Sequence, residues 1–381
     1  MTVRLSHRVD EIQPFLAMEV MERAFEMERD GTRVLHMEIG EPDFPPPPQA
    51  IEACARALRG GETRYSDSRG LADLREAIAQ DYGTRSGVAV NSDRVLVTSG
   101  TSPAMLLVFL TLLEAGDEVI IPTPHYPCYP GFVHACGGRP VYVPTRAEEG
   151  YQIDVDAVRS VLGPRTRAIV VGSPANPTGA VQDEEVLREL AALGLPLVSD
   201  EIYDGLVYED AHVTSALRVT DQAFVLDGFS KRYAMTGFRL GYVIVPPGIL
   251  RPLQILQQNL FISANRFVQH AGIAALREGQ STVQAMCEAY DRRRRHLVPA
   301  LQKLGLEVPA MPRGAFYVFA DARAFDSDSR RLAFRILDEA HVALTPGIDF
   351  GEIGEGWLRF SYAAADETID EALERLARVL G

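Results

Sequence analysis

A chain of 381 residues, 46% of them hydrophobic, is long enough to build two packed cores rather than one. Its formal net charge of -14 excludes nucleic acid or an anionic membrane as the main partner, since either would call for a basic surface. Cys54, Cys128, Cys136 and Cys287 are far apart and form no CxxC pair, so neither a zinc site nor a disulfide framework is indicated and a reducing, cytoplasmic setting is expected.

Charged residues interrupt the first 27 positions, leaving no apolar stretch for a signal peptide, and the longest apolar run, Ala104 to Leu113, is too short to span a bilayer. From Asp10 to Arg29, Ile12, Phe15, Leu16, Val20, Ala24 and Phe25 recur at helical spacing and predict one opening helix. Val34 to Ile39 reads as a strand ending at Gly40. Four consecutive prolines then make Glu41 to Pro48 a linker, because each lacks the amide donor and fixes φ. Helices are expected over Gln49 to Arg59 and Leu71 to Tyr82, with Tyr65 in the polar loop between them.

Beyond this point strands and helices alternate. Val95 to Thr98, Glu118 to Ile121, Val141 to Val143, Ala168 to Val171, Leu197 to Ser199, Phe224 to Leu226 and a run over Arg239 to Val245 are the apolar segments, with helices between several of them. That pattern implies an α/β fold, a largely parallel sheet covered on both faces. After Leu250 the chain turns helical, and the final section reads as a smaller α+β lobe. The expected division is an N-terminal segment, 1–45, joining the small domain; a large domain, 46–280; and a small domain, 281–381. Arg292 to Arg295, the only basic run, reads as a solvated helix face.

Ligands of open α/β sheets sit beyond the carboxyl ends of the strands, so the residues at those ends carry the chemistry. Gly100-Thr101-Ser102 opens a helix and offers backbone amides to an anion. Asn176-Pro-Thr-Gly179 could donate to a phenolate-like oxygen, and Asp200-Glu-Ile-Tyr203 supplies a buried carboxylate. Ser230-Lys231, with Arg239 eight residues on, joins an amine to a hydroxyl and a guanidinium fork suited to phosphate. A desolvated lysine has a lowered pKa and can attack a carbonyl, so the group points to a phosphorylated aldehyde such as pyridoxal phosphate.

In this order, these motifs resemble the fold-type I pyridoxal-phosphate enzymes and, within them, the class I/II aminotransferase family, from Gly40 to Arg359. The resemblance implies a mostly parallel mixed sheet sandwiched by helices, plus a smaller α+β domain. It implies that Lys231 carries pyridoxal 5'-phosphate as a Schiff base and serves as base and acid, while Ser230, Arg239 and the amides of Gly100, Thr101 and Ser102 hold the phosphate. Asp200 would face the pyridine nitrogen, Tyr203 and Asn176 the ring oxygen, and Tyr126 would stack on the ring, with His125 as the neighbouring aromatic. Tyr65 would reach the phosphate of a partner subunit in a homodimer with shared sites. Arg359 would grip the substrate α-carboxylate, with Gly40 and Asn176 beside it. The implied reaction moves an amino group from an amino acid to a 2-oxo acid in a ping-pong cycle.

Two alternatives keep the same cofactor: β-elimination of a C–S bond, and a cofactor-binding regulatory domain, for which no attached DNA-binding module is expected. A nicotinamide dehydrogenase is disfavoured because no G-x-G-x-x-G follows an early strand, and Gly228-Phe-Ser-Lys-Arg232 lacks the second glycine of a nucleophile elbow. For the substrate side chain, only the segment around Phe15 and the stretch Ile262 to Arg266 stand out. Arg266 is expected in a structural or surface role more than as a partner for an acidic group.

Overall fold

Seven apolar segments pair into one sheet in a computed structural model that describes residues 3–381. The strands of the chain are β1 (Leu35–His36), β2 (Val95–Thr98), β3 (Glu118–Thr123), β4 (Arg139–Pro144), β5 (Thr166–Gly172) and β6 (Leu197–Asp200), then β7 (Ala223–Gly228), β8 (Gly241–Ile244), β9 (Tyr317–Asp321), β10 (Val342–Ala343), β11 (Thr345–Pro346) and β12 (Trp357–Ser361). The large sheet has the order β2-β8-β7-β6-β5-β3-β4. Every neighbouring pair is parallel except those of β8, which runs antiparallel to both β2 and β7.

Side chains alternate across this sheet, yet both faces are apolar because helices cover both. Val95, Val97, Ile169, Val171 and Val225 pack into one core, while Leu96, Ala168, Val170, Phe224 and Leu226 pack into the core on the other face. A third core gathers Leu35 and Met37 with Phe316, Val318, Leu332, Ile336, Leu358 and Phe360 around the antiparallel sheet β11-β12-β9. Strand β1 pairs in parallel with β10, which ties residues 35–36 to the C-terminal part of the chain. No helix is long and apolar enough to cross a membrane among the described residues.

Local chemistry moves several boundaries. The expected opening helix is two helices, Arg8–Glu11 and Leu16–Arg29, broken around Pro14, whose ring and missing amide interrupt the ladder. Phe15, as N-cap of the second, has no capping side chain; instead Asp349, 333 residues away, accepts from the Leu16 amide at 2.9 Å and the Ala17 amide at 3.2 Å. The strand expected over Val34 to Ile39 shortens to two residues because β10 offers no longer partner. Pro48 is not linker but the first residue of the helix Pro48–Arg59, where a missing amide costs nothing.

The basic run is also corrected. It lies on the helix Gln280–Lys303, and Arg293 and Arg294 are buried rather than solvated. Arg293 pairs with Asp43 at 2.9 Å and with Asp366 at 2.7 Å, and Arg294 meets Glu209 at 2.9 Å and the Pro312 carbonyl at 2.8 Å. Asp291 on the same helix also accepts from Arg294, at 3.0 Å, and with these partners from distant segments it leaves both buried charges satisfied.

Candidate active site

The carboxyl ends of β2, β3, β5, β6 and β7 face one cavity of about 250 Å³, closed by residues 38–40, β9 and β12. Thr101, Ser102, Tyr126, Asn176, Asp200, Tyr203, Ser230, Lys231, Arg239, Arg359 and Gly40 all line it. Gly100 stands just behind as N-cap of the helix Thr101–Leu112. Tyr65 does not line this cavity and is 81% exposed.

Two glycines shape the anion end. Gly100 has φ +99°, a conformation that L side chains rarely adopt, and a Cβ there would lie 2.5 Å from Arg239 Nη2. Gly241 opposes Thr98 and Gly228 in the sheet, and its Cβ would lie 2.7 Å from the Gly100 carbonyl carbon. Their bare backbones let β8 and the Arg239 guanidinium close on the helix N-terminus. Arg239 is not inside a strand, as its sequence suggested; it sits in the left-handed region at φ +52° just before β8. Because β8 runs backwards, its start, not its end, lies at the cavity. Helix amides, the buried Ser230 hydroxyl and an exposed guanidinium with no carboxylate partner among the described residues together form a site for a phosphate-like anion.

Lys231 follows β7, and its Nζ donates to the Gly40 carbonyl. Burial pushes its pKa down to about 8; Arg359 and Arg239 act the same way, while Glu41 and Asp200 oppose them. Asp200 ends β6 and accepts from the Tyr129 hydroxyl at 2.8 Å and the Ile202 amide at 3.3 Å. Burial raises its carboxyl to about 6 despite both hydrogen bonds and the nearby Lys231. A carboxylate so buried is poised for a cationic partner.

Tyr126 lines the cavity, whereas His125 stacks on Tyr142 with ring centroids 5.5 Å apart, and burial lowers its imidazole to about 4. Tyr203 shares a hydrogen bond with the Tyr317 hydroxyl at 2.7 Å. At the other end Arg359 is 2% exposed. It donates to Asn176 Oδ1 at 2.9 Å, to Thr345 Oγ1 at 3.0 Å and to the Glu38 carbonyl, and it lies over the Tyr317 ring at 4.4 Å and the Phe350 ring at 5.1 Å. Its Nε is buried without a partner among the described residues, and the Asn176 amide nitrogen remains as a donor.

Tyr129, Tyr317, Thr345 and Asp349 were not legible as parts of the site. Tyr129, in the first turn of the helix Cys128–Ala135, packs edge-on against Tyr126 just before that helix, ring centroids 5.4 Å apart, and both line the cavity. Tyr317 is the diagonal neighbour of Arg359, which pairs with Phe319, and that register is set only by folding. Tyr317 also explains Gly40, since a Cβ at Gly40 would lie 1.9 Å from the Tyr317 hydroxyl. Gly40→Ala is therefore expected to cost about 1–3 kcal/mol in unfolding free energy, the range for overpacking. A urea midpoint equal to that of the unsubstituted protein would show that Tyr317 moves aside freely. Arg266 is ion-paired to Glu62 and does not line the cavity.

The family described as Aminotransferase class I and II matches residues 32–376. The chain is 38% identical to the (5-formylfuran-3-yl)methyl phosphate transaminase of Methanocaldococcus jannaschii, over 99% of each chain. It is 39% identical to the aspartate/prephenate aminotransferase of Thermus thermophilus, again over 99% of each. Among solved structures it is similar to the Thermus thermophilus aspartate aminotransferase with maleate, at TM-score 0.94 and 39% identity, covering 99% of this chain and 100% of that one.

Proposed function

The chain belongs to the class I and II aminotransferase family, and from that premise we propose how its residues divide the work of a pyridoxal-phosphate-dependent aminotransferase. Such an enzyme moves the amino group of an amino acid to a 2-oxo acid, and bound pyridoxal phosphate supplies an aldehyde that takes up the amino group and a ring that withdraws electrons. The cavity fits that cofactor: among the described residues, Arg239 at one end is exposed without a carboxylate partner, the buried Asp200 in the middle has no cation bound to it, and Arg359 Nε at the other end is orphaned.

Ser230, Arg239 and the amides of Gly100, Thr101 and Ser102 would hold the phosphate. Asp200 would keep the ring nitrogen protonated, with Tyr129 fixing its carboxylate. Tyr126 would stack on the ring, and Tyr203 and Asn176 would reach its oxygen. Arg359 would bind the substrate carboxylate, assisted by Asn176 and the Gly40 backbone. Lys231 Nζ would anchor the aldehyde; once displaced, it would take the substrate α-proton and later return one. The single observation that carries this reading is a half-buried lysine amine, lowered to about 8 by desolvation, in one cavity with Asp200 and Arg359.

The division into 1–45, 46–280 and 281–381 is supported by the β1–β10 pairing and by separate cores. A homodimer is supported by Tyr65, exposed and free to reach a partner's phosphate site. Four unpaired cysteines support a cytoplasmic setting. The test of the reaction is a half-reaction without oxo acid: an amino acid should convert the bound cofactor to its amine form. Release of pyruvate and ammonia from a sulfur amino acid would favour β-elimination instead. Arg359→Ala should raise the KM for the amino donor about 10-fold to 100-fold, the worth of a hydrogen-bonded buried charge, and an unaltered KM would count against its role.

A further inference from the structure

Successive residues of an extended segment point to opposite faces, so His36 and Glu38 share one face while Met37, between them, turns into the core around β9 and β12. Glu38 lines the cavity and is fully buried, and its Oε2 has no hydrogen-bond partner among the described residues. A carboxylate in that state is costly unless a cation stands beside it. The His36 ring meets it, Nδ1 lying 2.8 Å from Oε1.

Geometry sets the protonation of that ring. Its Nε2 lies 3.3 Å from Glu28 Oε1, on the helix Leu16–Arg29, so each ring nitrogen faces a carboxylate. Neutral imidazole has one N–H and imidazolium two, so only the charged form donates to both. Phe25, from the same helix, covers the ring with centroids 5.6 Å apart, and the His36 backbone is registered on Ala343 by the β1–β10 pairing. The hydrogen bond with Glu38 raises the His36 pKa above its ordinary value against the effect of burial, and Glu28 adds to the rise.

The main chain of Glu38 reaches the site. Its carbonyl accepts from Arg359 Nη2 and, at 2.9 Å, from Thr345 Oγ1, which accepts in turn from Arg359 at 3.0 Å. Two residues on, the Gly40 carbonyl receives Lys231 Nζ. One residue therefore has its side chain anchored by a half-buried histidine and its carbonyl on the buried guanidinium of Arg359.

We propose, resting on the aminotransferase reading above, that His36 is a positioning residue: by holding the Glu38 side chain, its imidazolium seats the carbonyl that orients Arg359 for the substrate carboxylate. Binding of that carboxylate follows the charge of His36. It weakens as the ring releases its proton to solvent, because one of the two carboxylate contacts is then lost.

The test uses the holoenzyme, with KM and kcat measured for the best converted of phenylalanine, leucine, alanine, aspartate and glutamate. His36→Asn and His36→Gln separate the two contacts, since an asparagine amide sits where Nδ1 faces Glu38 and a glutamine amide where Nε2 faces Glu28. His36→Gln should raise KM roughly 3-fold to 10-fold, the worth of one hydrogen bond, with kcat little changed. His36→Asn should raise it less. The KM of the unsubstituted enzyme should climb with pH by a step that His36→Asn lacks, whereas any step from Lys231 is common to both. A second readout needs no turnover: in the apoprotein, the NMR titration of the His36 ring, identified by its absence from His36→Asn, should lie above pH ~6.5 and move down in Glu28→Gln. Cofactor absorbance shows that each variant is folded. Equal KM in the two His36 variants, a loss confined to kcat, or a His36 titration at or below pH ~6.5 overturns the proposal. Conversion by none of the five amino acids would remove the aminotransferase reading and this role with it; an unchanged His36 titration tells that failure from the others.

Discussion

Lys231→Ala is expected to lower turnover by about 10⁴-fold or more, because one substitution removes both the anchor for the aldehyde and the group that moves the proton; proton transfer alone is worth about 10²–10⁴-fold. The loss should not come from unfolding. Burial lowers the Lys231 amine to about 8, so holding it charged below that pH costs the apoprotein stability, and the alanine variant should unfold no earlier than the unsubstituted chain at pH 7. The phosphate end, with Ser230, Arg239 and the helix amides, is untouched, so the variant should still bind pyridoxal phosphate. Its visible spectrum should be that of the unattached aldehyde. A spectrum identical to that of the parent enzyme would refute the role of Lys231.

Asp200→Asn should be the second largest effect, lowering kcat by roughly 10²–10³-fold, the scale for removing one preorganised electrostatic partner of a developing charge. The same substitution has a signature without cofactor. In the apoprotein burial raises the Asp200 carboxyl to about 6, above an unfolded value near 4. A raised carboxyl contributes stability that is full below pH ~4 and is lost as pH rises through 6. The asparagine variant should therefore show a shallower decline in urea midpoint between pH 4.5 and 7. Part of the slope should remain, because burial also raises Glu201 to about 7 and Asp349 to about 6. An unchanged slope would mean that Asp200 is not the desolvated carboxylate described above.

That Lys231, Asp200 and Asn176 gather at one cavity was readable in the sequence because each lies within about five residues of the end of a continuous apolar run, and the end of a buried strand is a local property. Direction was not readable. The run Tyr242 to Val245 looks the same whichever way it is threaded, so the reversal of β8, and with it the way Arg239 reaches the cavity, appears only when β2 and β7 pair with it. Contacts across the chain were still less accessible. The Asp349 cap on Leu16 joins residues 333 positions apart, and Tyr317 meets Arg359 only through the register of β9 with β12. The burial of Arg293 and Arg294 was not readable for the same cause: a basic run looks solvated until Asp43, Glu209 and Asp366 arrive from elsewhere.

The amine of Lys231 is one of very few in the protein. Of 38 basic residues only two are lysines, Lys231 and Lys303, and the remainder are arginines. Arginine supplies positive charge and hydrogen bonds while its guanidinium stays protonated and unreactive toward aldehydes at physiological pH. A surface built this way pairs carboxylates, as Arg33 does with Glu371 and Arg330 with Glu19, without offering stray nucleophiles to free aldehyde. Burial gives Lys231 a larger neutral fraction near neutral pH than an ordinary lysine, so this composition favours carbonyl condensation at a single side chain of the folded protein. Such a chain would tolerate excess cofactor with little off-target imine formation on its exterior.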